Sequence, residues 1–443
     1  MSPKVVIIGA GLAGVEAAYQ VSKRGIPVDL YEMRPTVKTE AHQTGFAGEL
    51  VCSNSLGSTE VTSASGLLKK ELEILDSFYL KVAQKSRVPA GSSLSVDRLH
   101  LAEAIDRELE VMEGVNVIRQ EIKEIPSSDD PVIIASGPLT SADFARAITT
   151  VTMRKNLFFY DATSPIIKAD TIDMNRMFRA SRYDKGEADF LNLPLNRQQY
   201  EEFVAELVKA ETVELKDFEK GLFFEACLPI EEIARRGFQS LAFGPLKPVG
   251  LLDPARGEIP HAVIQLRQDD LKSQFYQLVG FQTRLKWGEQ KRIFRMLPGL
   301  EEAQFERYGR MHRNSYISAP LILNKFYQTK FKENLFFAGQ ISGVEGYVEA
   351  IGSGLAAGIF AAKRALAEPL YNFPEETANG ALIHYITQAN WKDFRPTRFT
   401  FGLLPDLPDR YKSRKARGKK IKKEMKARIA LEALHKWLEK AGI

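Results

Sequence analysis

Two side chains of this 443-residue sequence, the thiols of Cys52 and Cys227, become strong nucleophiles or bases when they lose a proton. A cysteine can equally be a small apolar core residue or one half of a disulfide. A chain of this length folds around large hydrophobic cores without covalent links, so a disulfide is the least expected role. The segment FFEACLPI around Cys227 favours burial when it is considered alone.

Other catalytic patterns are missing from the sequence. The two cysteines form neither C-x-x-C nor C-x-x-x-x-C, so the adjacent redox pair of a disulfide reductase is not expected. The six histidines, at positions 42, 100, 261, 312, 384 and 435, match no metal-ligand spacing. We therefore expect no zinc or iron site.

A glycine-rich segment near the amino terminus predicts a dinucleotide-binding site. The apolar run Val5 to Ile8 is typical of a buried parallel strand, and G-x-G-x-x-G follows it directly. The first glycine permits a tight turn, the second lets backbone approach a pyrophosphate, and the third lets a helix pack on the strand. The pyrophosphate would lie at the amino terminus of that helix. The residues expected at the cofactor are Gly9, Ala10, Gly11, Leu12, Ala13 and Gly14.

A carboxylate follows at the distance that recognition of an adenosine ribose requires. The second predicted strand, PVDLYE, ends at Glu32, eighteen residues after Gly14, where it can accept hydrogen bonds from both ribose hydroxyls. This favours FAD or NAD over NADP. A site for S-adenosylmethionine is less expected, since such loops usually follow an acidic residue and Ile8 precedes Gly9.

Two later segments are expected in the same domain. DDPVIIASGPLTS predicts a buried strand that ends near Gly137, where backbone can pass close to a dinucleotide. NLFFAGQISGVEGYVEAIGSGLAAGIFAAKRAL predicts a strand, a glycine-rich loop and a helix rich in small residues. We expect the helix glycines to allow close packing rather than to form a second nucleotide fingerprint. The loop is expected to face a flavin ring through Gly339, Gln340, Gly346 and Tyr347.

The cofactor domain is predicted to be discontinuous, because its closing segment comes some 325 residues after the first glycine motif. We expect its two parts at 1–155 and 331–405, an insertion on the substrate side at 156–330, and a tail at 406–443. The insertion interleaves aromatic, proline and charged residues in short blocks, which is typical of an α+β unit. The expected fold class is α/β, with a Rossmann-like, glutathione-reductase-like FAD domain.

The tail is strongly basic. From Arg410 to Ile443 there are 13 Lys and Arg against 3 Glu, while the net charge of the whole chain is +5. The body is therefore mildly acidic, and the tail favours a polyanionic partner, although a solvated charged face is equally expected of such a run. A helix is predicted from apolar residues at Ile421, Met425, Ile429, Leu431, Leu434 and Leu438.

The apolar amino-terminal stretch is interrupted by Glu16 and is followed by no small-residue cleavage pattern, so it does not predict a signal peptide. No stretch has the length of a membrane-spanning helix. Together with the two cysteines, this favours the reducing cytoplasm.

With these pieces in order, the chain resembles the folate- and FAD-dependent tRNA uracil-5-methyltransferase family, relatives of larger flavoproteins that modify the tRNA wobble uridine. The resemblance runs through nearly the whole chain, over GAGLAGVEAAYQ, YEMRP, ELVCSNSL, FYDATSPII, SRYDKGEADFLN, FEACLPIE, FGPLKPVGL, QLRQDD, VGFQT, EQKR, RYGRMHRNSYI and GQISGVEGYVEA. It departs at Leu193 in FLNLPL, where the family often has a cysteine. A catalytic third thiol is therefore not expected.

The resemblance implies transfer of a one-carbon unit from 5,10-methylenetetrahydrofolate to C5 of the T-loop uridine at tRNA position 54. FAD reduced by NAD(P)H would complete the methyl group. Carried over from the family blocks, Cys227 is the nucleophile that adds to C6 and Cys52 is the base at C5, near the flavin ring. Phosphate contacts are expected from the tail and from KWGEQKR, while Arg313 and Asn314 could meet folate or RNA or form ordinary surface hydrogen bonds.

Rival functions are an FAD and NAD(P)H oxidoreductase for a small substrate, a flavin-stabilised RNA-binding protein without activity, and a wobble-uridine modification flavoprotein. The sequence leaves open the oligomeric state, the preferred nicotinamide, the folate contacts and whether the methylene passes through a flavin N5 adduct.

Overall fold

The computed structural model describes residues 3–127, 129–154, 157–184, 187–214, 228–408 and 418–443. Its strands are β1 (Val5–Ile8), β2 (Val28–Tyr31), β3 (Ser55–Ser58), β4 (Arg87–Val88), β5 (Ser93–Val96), β6 (Val115–Ile118), β7 (Val132–Ile134), β8 (Leu157–Ala162), β9 (Ile166–Lys168), β10 (Phe178–Ala180), β11 (Phe190–Leu195), β12 (Ala262–Gln268), β13 (Phe275–Leu278), β14 (Phe305–Arg307), β15 (Met311–Tyr316) and β16 (Leu335–Phe337). Its helices are α1 (Leu12–Ser22), α2 (Ala64–Ile74), α3 (Phe78–Lys85), α4 (Arg98–Glu110), α5 (Ala142–Thr152), α6 (Arg197–Lys209), α7 (Ile230–Arg235), α8 (Ser240–Phe243), α9 (Trp287–Phe294), α10 (Ala319–Ile322), α11 (Tyr347–Ala365), α12 (Ala378–Gln388) and α13 (Lys419–Ala441).

A parallel sheet forms the core beside the glycine motif. Within the described chain its strand order is β16-β7-β1-β2-β6, and every neighbouring pair is parallel. Strand β1 is central, and none of its residues is more than 6% exposed. A strand covered on both faces needs such an uninterrupted apolar run. Because β16 pairs with β7, strands from distant parts of the chain share one sheet, as the closing segment predicted.

Helices α1 and α11 lie in close contact beside this sheet. A Cβ atom at Gly354 would lie 2.2 Å from the carbonyl oxygen of Ala13, and one at Gly358 would lie 2.8 Å from that of Ala17. Both distances are too short for any side chain, so the two helix backbones touch through these glycines. The predicted packing role of the α11 glycines is confirmed.

The middle of the chain forms a second sheet with its own core. In the described part of the chain its strand order is β10-β11-β12-β13-β9-β14, and the pairs are antiparallel. Helix α6 packs on it through Tyr200, Phe203, Val204 and Leu207. A separate antiparallel pair, β8 and β15, joins the start of this region to its end. The predicted mixture of helices and strands is confirmed.

The carboxy-terminal helix α13 is present, but its predicted apolar stripe is only partly right. Ile421 is 42% exposed, and the indole of Trp437, which the predicted stripe does not include, is buried against the ring of Phe373 at a centroid distance of 4.0 Å. Small residues let this helix approach the core closely, so its buried face is formed mainly by alanines and not by the larger apolar residues. The fully buried positions are Ala427, Ala430, Leu434, Trp437 and Ala441.

Across the described ranges, no helix has the length and apolar character needed to cross a membrane. The described residues likewise contain no group of three or more His, Cys, Asp and Glu side chains placed to hold a metal ion.

Because α1 and α11 are in backbone contact, a single methyl group added at this contact should destabilise the protein. We expect Gly354→Ala to lower the free energy of unfolding by about 1–3 kcal/mol, because its Cβ would push the two helices apart. Gly288→Ala is the matched control, since no atom lies within 4 Å of a Cβ there in α9, and it should be neutral or stabilising by up to about 1 kcal/mol. Urea unfolding of both variants checks this, and equal stabilities would contradict it.

Candidate active site

The glycine turn between β1 and α1 leaves open space at the helix amino terminus. Gly9 has φ +103°, and a Cβ there would lie 2.5 Å from the carbonyl oxygen of Ala135, so this position requires glycine. A Cβ at Gly14 would lie 1.8 Å from the carbonyl oxygen of Gly9. At Gly11, by contrast, no described atom lies within 4 Å of the Cβ position. A phosphate group would be favoured in this space by the N–H groups of the first helical turn.

Glu32 is buried after β2, and N–H donors hold its carboxylate. One carboxylate oxygen accepts from the backbone N–H of Ala10 at 2.9 Å, and the other accepts from the backbone N–H and Nε of Arg34 at 2.9 and 2.8 Å. Burial alone would raise the pKa of Glu32, but the charge of Arg34 and these hydrogen bonds hold it below its ordinary value. Glu32 is therefore an ionised acceptor at neutral pH.

One cavity, which we call the cofactor cavity, joins the glycine turn, Glu32 and the loop after β16. Of the predicted cofactor contacts, Ala10 and Gly14 do not line it, because Ala10 binds Glu32 and Gly14 packs under the turn. The others do line it: Gly9, Gly11, Leu12, Ala13, Glu32, Gly137, Gly339, Gln340, Gly346 and Tyr347.

Cys52 lies in a loop whose backbone is held by groups from distant parts of the chain. The Tyr347 hydroxyl oxygen accepts the backbone N–H groups of Cys52 and Ser53 at 2.8 and 3.0 Å. Nε2 of Gln277 donates to the carbonyl oxygen of Cys52 at 3.1 Å. The thiol is half-buried, and its sulfur lies 3.9 Å from the carbonyl oxygen of Ala162. The position of this thiol is therefore set by tertiary contacts.

A second cavity of about 390 Å³, which we call the substrate cavity, extends from Cys52. It shares Tyr347 with the cofactor cavity, so the two meet at this side chain. Strand β15 contributes His312 and Asn314, and the loop before α9 contributes Gln282. A ring bound there would contact both the thiol and the loop predicted to face the flavin.

The neighbouring Arg313 has a different environment. Its guanidinium lies 4.1 Å from the centroid of the Phe158 ring, and the side chain lines a separate surface pocket. Successive residues of a strand point to opposite faces, so Asn314 reaches the substrate cavity while Arg313 does not.

Three guanidinium groups lie close to the Cys52 loop. Arg98 pairs with Asp269 at 2.5 Å, Arg267 donates to the hydroxyl of Ser53 at 2.7 Å, and Arg307 donates to a backbone carbonyl of the loop at 3.3 Å. Burial lowers the pKa of Arg267 and of Arg307 to about 10 each, so both remain charged at neutral pH. These guanidinium groups place positive charge beside the backbone of the loop, while carboxylates of Asp161, Glu345 and Glu349 also line the cavity that extends from it.

Cys227 lies outside the described residues, which resume at Leu228. The backbone N–H of Ile230 donates to the carbonyl oxygen of Gln282 at 2.7 Å. Since Gln282 lines the substrate cavity, the chain that follows position 227 is attached beside that cavity. Leu193, where the family often has a cysteine, is fully buried in the core of the antiparallel sheet.

Relatives with about 50% sequence identity cover 99% of the chain. The family profile described as Glucose inhibited division protein A matches residues 4–369. A Desulforamulus reducens protein named methylenetetrahydrofolate--tRNA-(uracil-5-)-methyltransferase TrmFO is 50% identical over 440 residues, which are 99% of this chain and 98% of that protein. A protein of the same name from Exiguobacterium sp. is 51% identical over 437 residues, with 99% of both chains covered. The chain belongs to the TrmFO family.

A more distant structural relative supports the fold of this TrmFO family member. The structure of Aquifex aeolicus GidA in the form II crystal superposes with a TM-score of 0.69 at 17% identity, over 99% of this chain and 76% of that one. The form I crystal has a TM-score of 0.67 at 18% identity, over 99% and 79% of the two chains. At this identity the likeness shows the fold alone, and it confirms the predicted fold class.

Several residues that line these TrmFO cavities are not among those that the sequence predicts. Arg34, which pairs with Glu32, could have been found, because it lies two positions later in the YEMRP block. No comparable signal pointed to His312 or Gln282, which lie more than 200 positions from Cys52. Nor does the sequence indicate other residues that line the cofactor cavity, namely Met33, Thr39, His42, Glu49, Gln120 and Thr140.

Removal of the Tyr347 hydroxyl is expected to make the Cys52 loop more mobile. In Tyr347→Phe, two half-buried backbone N–H groups lose their acceptor, at a net cost of about 0.5–1.5 kcal/mol for each hydrogen bond, so the loop should open more often. We expect iodoacetamide to alkylate Cys52 about tenfold faster, measured by peptide mass spectrometry in a Cys227→Ala background. Tyr385→Phe is the matched control, because that hydroxyl donates to the carbonyl of Arg395 in an exposed position. An unchanged alkylation rate in Tyr347→Phe would show that the hydroxyl does not hold the loop.

Proposed function

We propose that this protein methylates C5 of uridine 54 in the T-loop of tRNA, with 5,10-methylenetetrahydrofolate as the one-carbon donor. The observation that carries the proposal is 50% identity to a methylenetetrahydrofolate--tRNA-(uracil-5-)-methyltransferase over 99% of this chain. The geometry supports it, because the substrate cavity contains a half-buried thiol and meets a dinucleotide cavity at Tyr347. An oxidoreductase for a small substrate has no such support.

The cofactor cavity fits FAD. The open space at Gly11 suits a pyrophosphate at the amino terminus of α1, and ionised Glu32 suits the ribose hydroxyls. Gly339 and Tyr347 would border the flavin end. When bound and reduced, for which we propose NAD(P)H, FAD supplies the hydride equivalent that completes the methyl group. The chain's own part is to hold the target base at this end of the cavity and to move its protons.

The two thiols divide the covalent and proton-transfer steps. C5 of uracil is a weak nucleophile, so a thiolate first adds to C6 and makes C5 electron-rich. We assign this addition to Cys227, supported by the FEACLPIE block and by the attachment of Ile230 beside the substrate cavity. We assign removal of the C5 proton to Cys52, supported by its place in that cavity and by the contacts of its loop with Tyr347.

The chain is proposed to divide its tasks by segment. Residues 1–155 and 331–405 would hold FAD, residues 156–330 would shape the substrate side, and residues 406–443 would contact tRNA. The first turns of α13 support the last assignment, since Lys419, Lys420 and Lys423 are exposed there beside a groove on the body. A tRNA substrate also favours a cytoplasmic location.

A mechanism-based trap tests the function and the two thiol roles. Fluorine at C5 cannot leave as a proton does, so a T-arm RNA with 5-fluorouridine at the target position should remain bonded to the enzyme. In the presence of methylenetetrahydrofolate and NAD(P)H, we expect wild type to form an adduct that survives a denaturing gel. Cys227→Ala should form none. Cys52→Ala should lose methylation of normal tRNA but still trap the fluorinated RNA.

Each result separates one part of the proposal from the rest. A wild type that neither traps this RNA nor makes 5-methyluridine would contradict the methyltransferase function. An adduct with Cys227→Ala would contradict the choice of nucleophile. Methylation of normal tRNA by Cys52→Ala would contradict its role as the base. Flavin absorbance of each variant shows whether a loss of activity comes from a loss of FAD.

If the exposed lysines of α13 contact phosphate groups of tRNA, their removal should weaken tRNA binding and reduce its dependence on salt. We expect the triple variant Lys419→Ala, Lys420→Ala, Lys423→Ala to bind tRNA at least about tenfold more weakly near physiological salt. The slope of log affinity against log salt should fall by about one for each lost phosphate contact. Lys436→Ala, an exposed lysine on the last turns of the same helix, is the single-site control and should have a small effect. Filter binding over a salt series measures both quantities, and an unchanged slope would exclude α13 from the interface.

A further inference from the structure

Three aromatic rings form a stack that ends at the protein surface beside α9. The rings of Phe305 and Tyr308 are stacked at a centroid distance of 5.0 Å. The indole of Trp287 stacks on Tyr308 at 5.5 Å, with an angle of 13° between the ring planes. Trp287 is nevertheless 53% exposed. The contact with Tyr308 therefore fixes the indole in place and leaves much of it in contact with solvent.

Arg310 adds a positive charge to this stack. Its guanidinium carbon lies 5.0 Å from the centroid of the Trp287 ring, in a cation–π contact. The side chain is exposed, and none of the described carboxylates forms an ion pair with it. Lys286, by contrast, is paired with Glu211 at 2.7 Å. We call the surface formed by Trp287, Tyr308 and Arg310 the stacking platform.

The stacking platform lies beside the substrate cavity. The backbone N–H of Arg310 donates to Oγ1 of Thr163 at 3.0 Å, and the backbone N–H of Thr163 donates to the carbonyl oxygen of Arg310 at 2.8 Å. Thr163 follows Ala162, whose carbonyl oxygen lies 3.9 Å from the sulfur of Cys52. Short links of backbone therefore connect the platform to the wall of the cavity.

The chain on both sides of Cys227 is attached to the segment that leads into the platform. Before Cys227, the backbone N–H of Val213 donates to the carbonyl oxygen of Arg284 at 2.8 Å. After it, the backbone N–H of Ile230 donates to the carbonyl oxygen of Gln282 at 2.7 Å. The platform begins three positions after Arg284, at the start of α9. A nucleotide next to one that reaches Cys227 would therefore come close to the platform.

An exposed aromatic ring beside a cation suits an unpaired nucleobase. Every base has a flat π face, so bases stack on aromatic side chains and on guanidinium planes with little regard to sequence. The proposed reaction needs such a contact, because the target uridine must leave its stack to reach the thiols, which costs free energy. Stacking of a neighbouring base on the protein would offset part of this cost.

We propose that the indole of Trp287 stacks on an unpaired T-loop base near the target uridine, and that Arg310 contacts an adjoining phosphate. This assignment rests on the proposed function and extends it to the way in which the enzyme holds the opened T-loop. Stacking releases no counterions, so loss of the indole should weaken binding without changing its dependence on salt. Loss of a phosphate contact should change that dependence.

Three variants separate the ring from the charge, and binding of a T-arm RNA to the FAD-containing enzyme is measured over a salt series. Trp287→Leu keeps an apolar side chain but has no π face, and we expect it to bind about tenfold more weakly with an unchanged salt slope. Trp287→Phe retains a ring and should bind within about threefold of wild type. Arg310→Met should reduce the slope of log affinity against log salt by about one.

Phe331→Leu is the matched control for the loss of an exposed ring. Phe331 is 52% exposed, and it precedes β16, so it lies at the edge of the parallel sheet opposite to the glycine turn. This variant should bind the RNA as wild type does. The residues of the platform do not line the cofactor cavity, so FAD content and the rate of NAD(P)H oxidation without RNA should be unchanged in every variant.

Removal of single bases from the RNA identifies the stacked base and tests the contact directly. T-arm RNAs that lack one T-loop base each, apart from the target, are bound to wild type and to Trp287→Leu. At the stacking position, loss of the base should weaken binding to wild type about tenfold. It should weaken binding to Trp287→Leu less than about twofold, because both changes remove the same contact.

The proposal is wrong if Trp287→Leu binds T-arm RNA as tightly as wild type, or if no missing base weakens binding to wild type, a result that needs no variant. Equal losses in Trp287→Phe and Trp287→Leu would exclude stacking. A raised KM for methylenetetrahydrofolate as the only defect would place folate on the platform and overturn the assignment. A wild type that neither binds T-arm RNA nor methylates it would contradict the proposed function as well, whereas a methylating wild type with an unaffected Trp287→Leu would contradict the role of Trp287 alone.

Discussion

Tyr347 lines both cavities on which the chemistry depends, and the loop of Cys52 is held by its hydroxyl. It accepts backbone N–H groups from residues 295 and 294 positions earlier in the chain, Cys52 and Ser53. Burial raises the pKa of Tyr347 well above its ordinary value, so the hydroxyl stays neutral and keeps its proton. Tyr347 begins α11, and α11 is held against α1 by backbone contact at Gly354 and Gly358. The packing of two helices therefore sets the distance between the thiol and the glycine turn.

The charges around these cavities differ in a way that matches their expected ligands. At the cofactor cavity, Arg34 lies between the carboxylates of Glu32 and Glu49, which leaves an ionised acceptor for hydroxyl groups. Near the Cys52 loop, Arg267 and Arg307 remain charged despite burial. Burying such groups costs free energy, and structures retain them where they act on a bound charge. The second region is thus suited to a reaction in which negative charge appears on a base.

Some local features of the chain follow from short-range sequence rules, and others depend on distant contacts. The strand at Val5–Ile8 and the turn at Gly9 follow from short-range rules, since burial on both faces needs an apolar run and a left-handed φ needs glycine. The buried face of α13 was predicted less well, because Trp437 is buried by contact with Phe373, which lies in a distant segment of the chain. The sequence offers Arg313 and Asn314 equally as ligand contacts, but successive residues of a strand point to opposite faces, and only Asn314 lines the substrate cavity. The roles of Cys52 and Cys227 remain predictions.

Three features can be read from the amino-acid sequence alone: the dinucleotide fingerprint, the discontinuity of the parallel sheet and, through the order of the sequence blocks, the family. These depend on neighbouring residues or on motif order, which a linear chain displays directly. The support of the Cys52 loop by Tyr347 and the cavity that His312 shares with that thiol become visible only in the folded chain. Contacts between residues hundreds of positions apart arise from the packing of whole helices and sheets, and no local spacing encodes them.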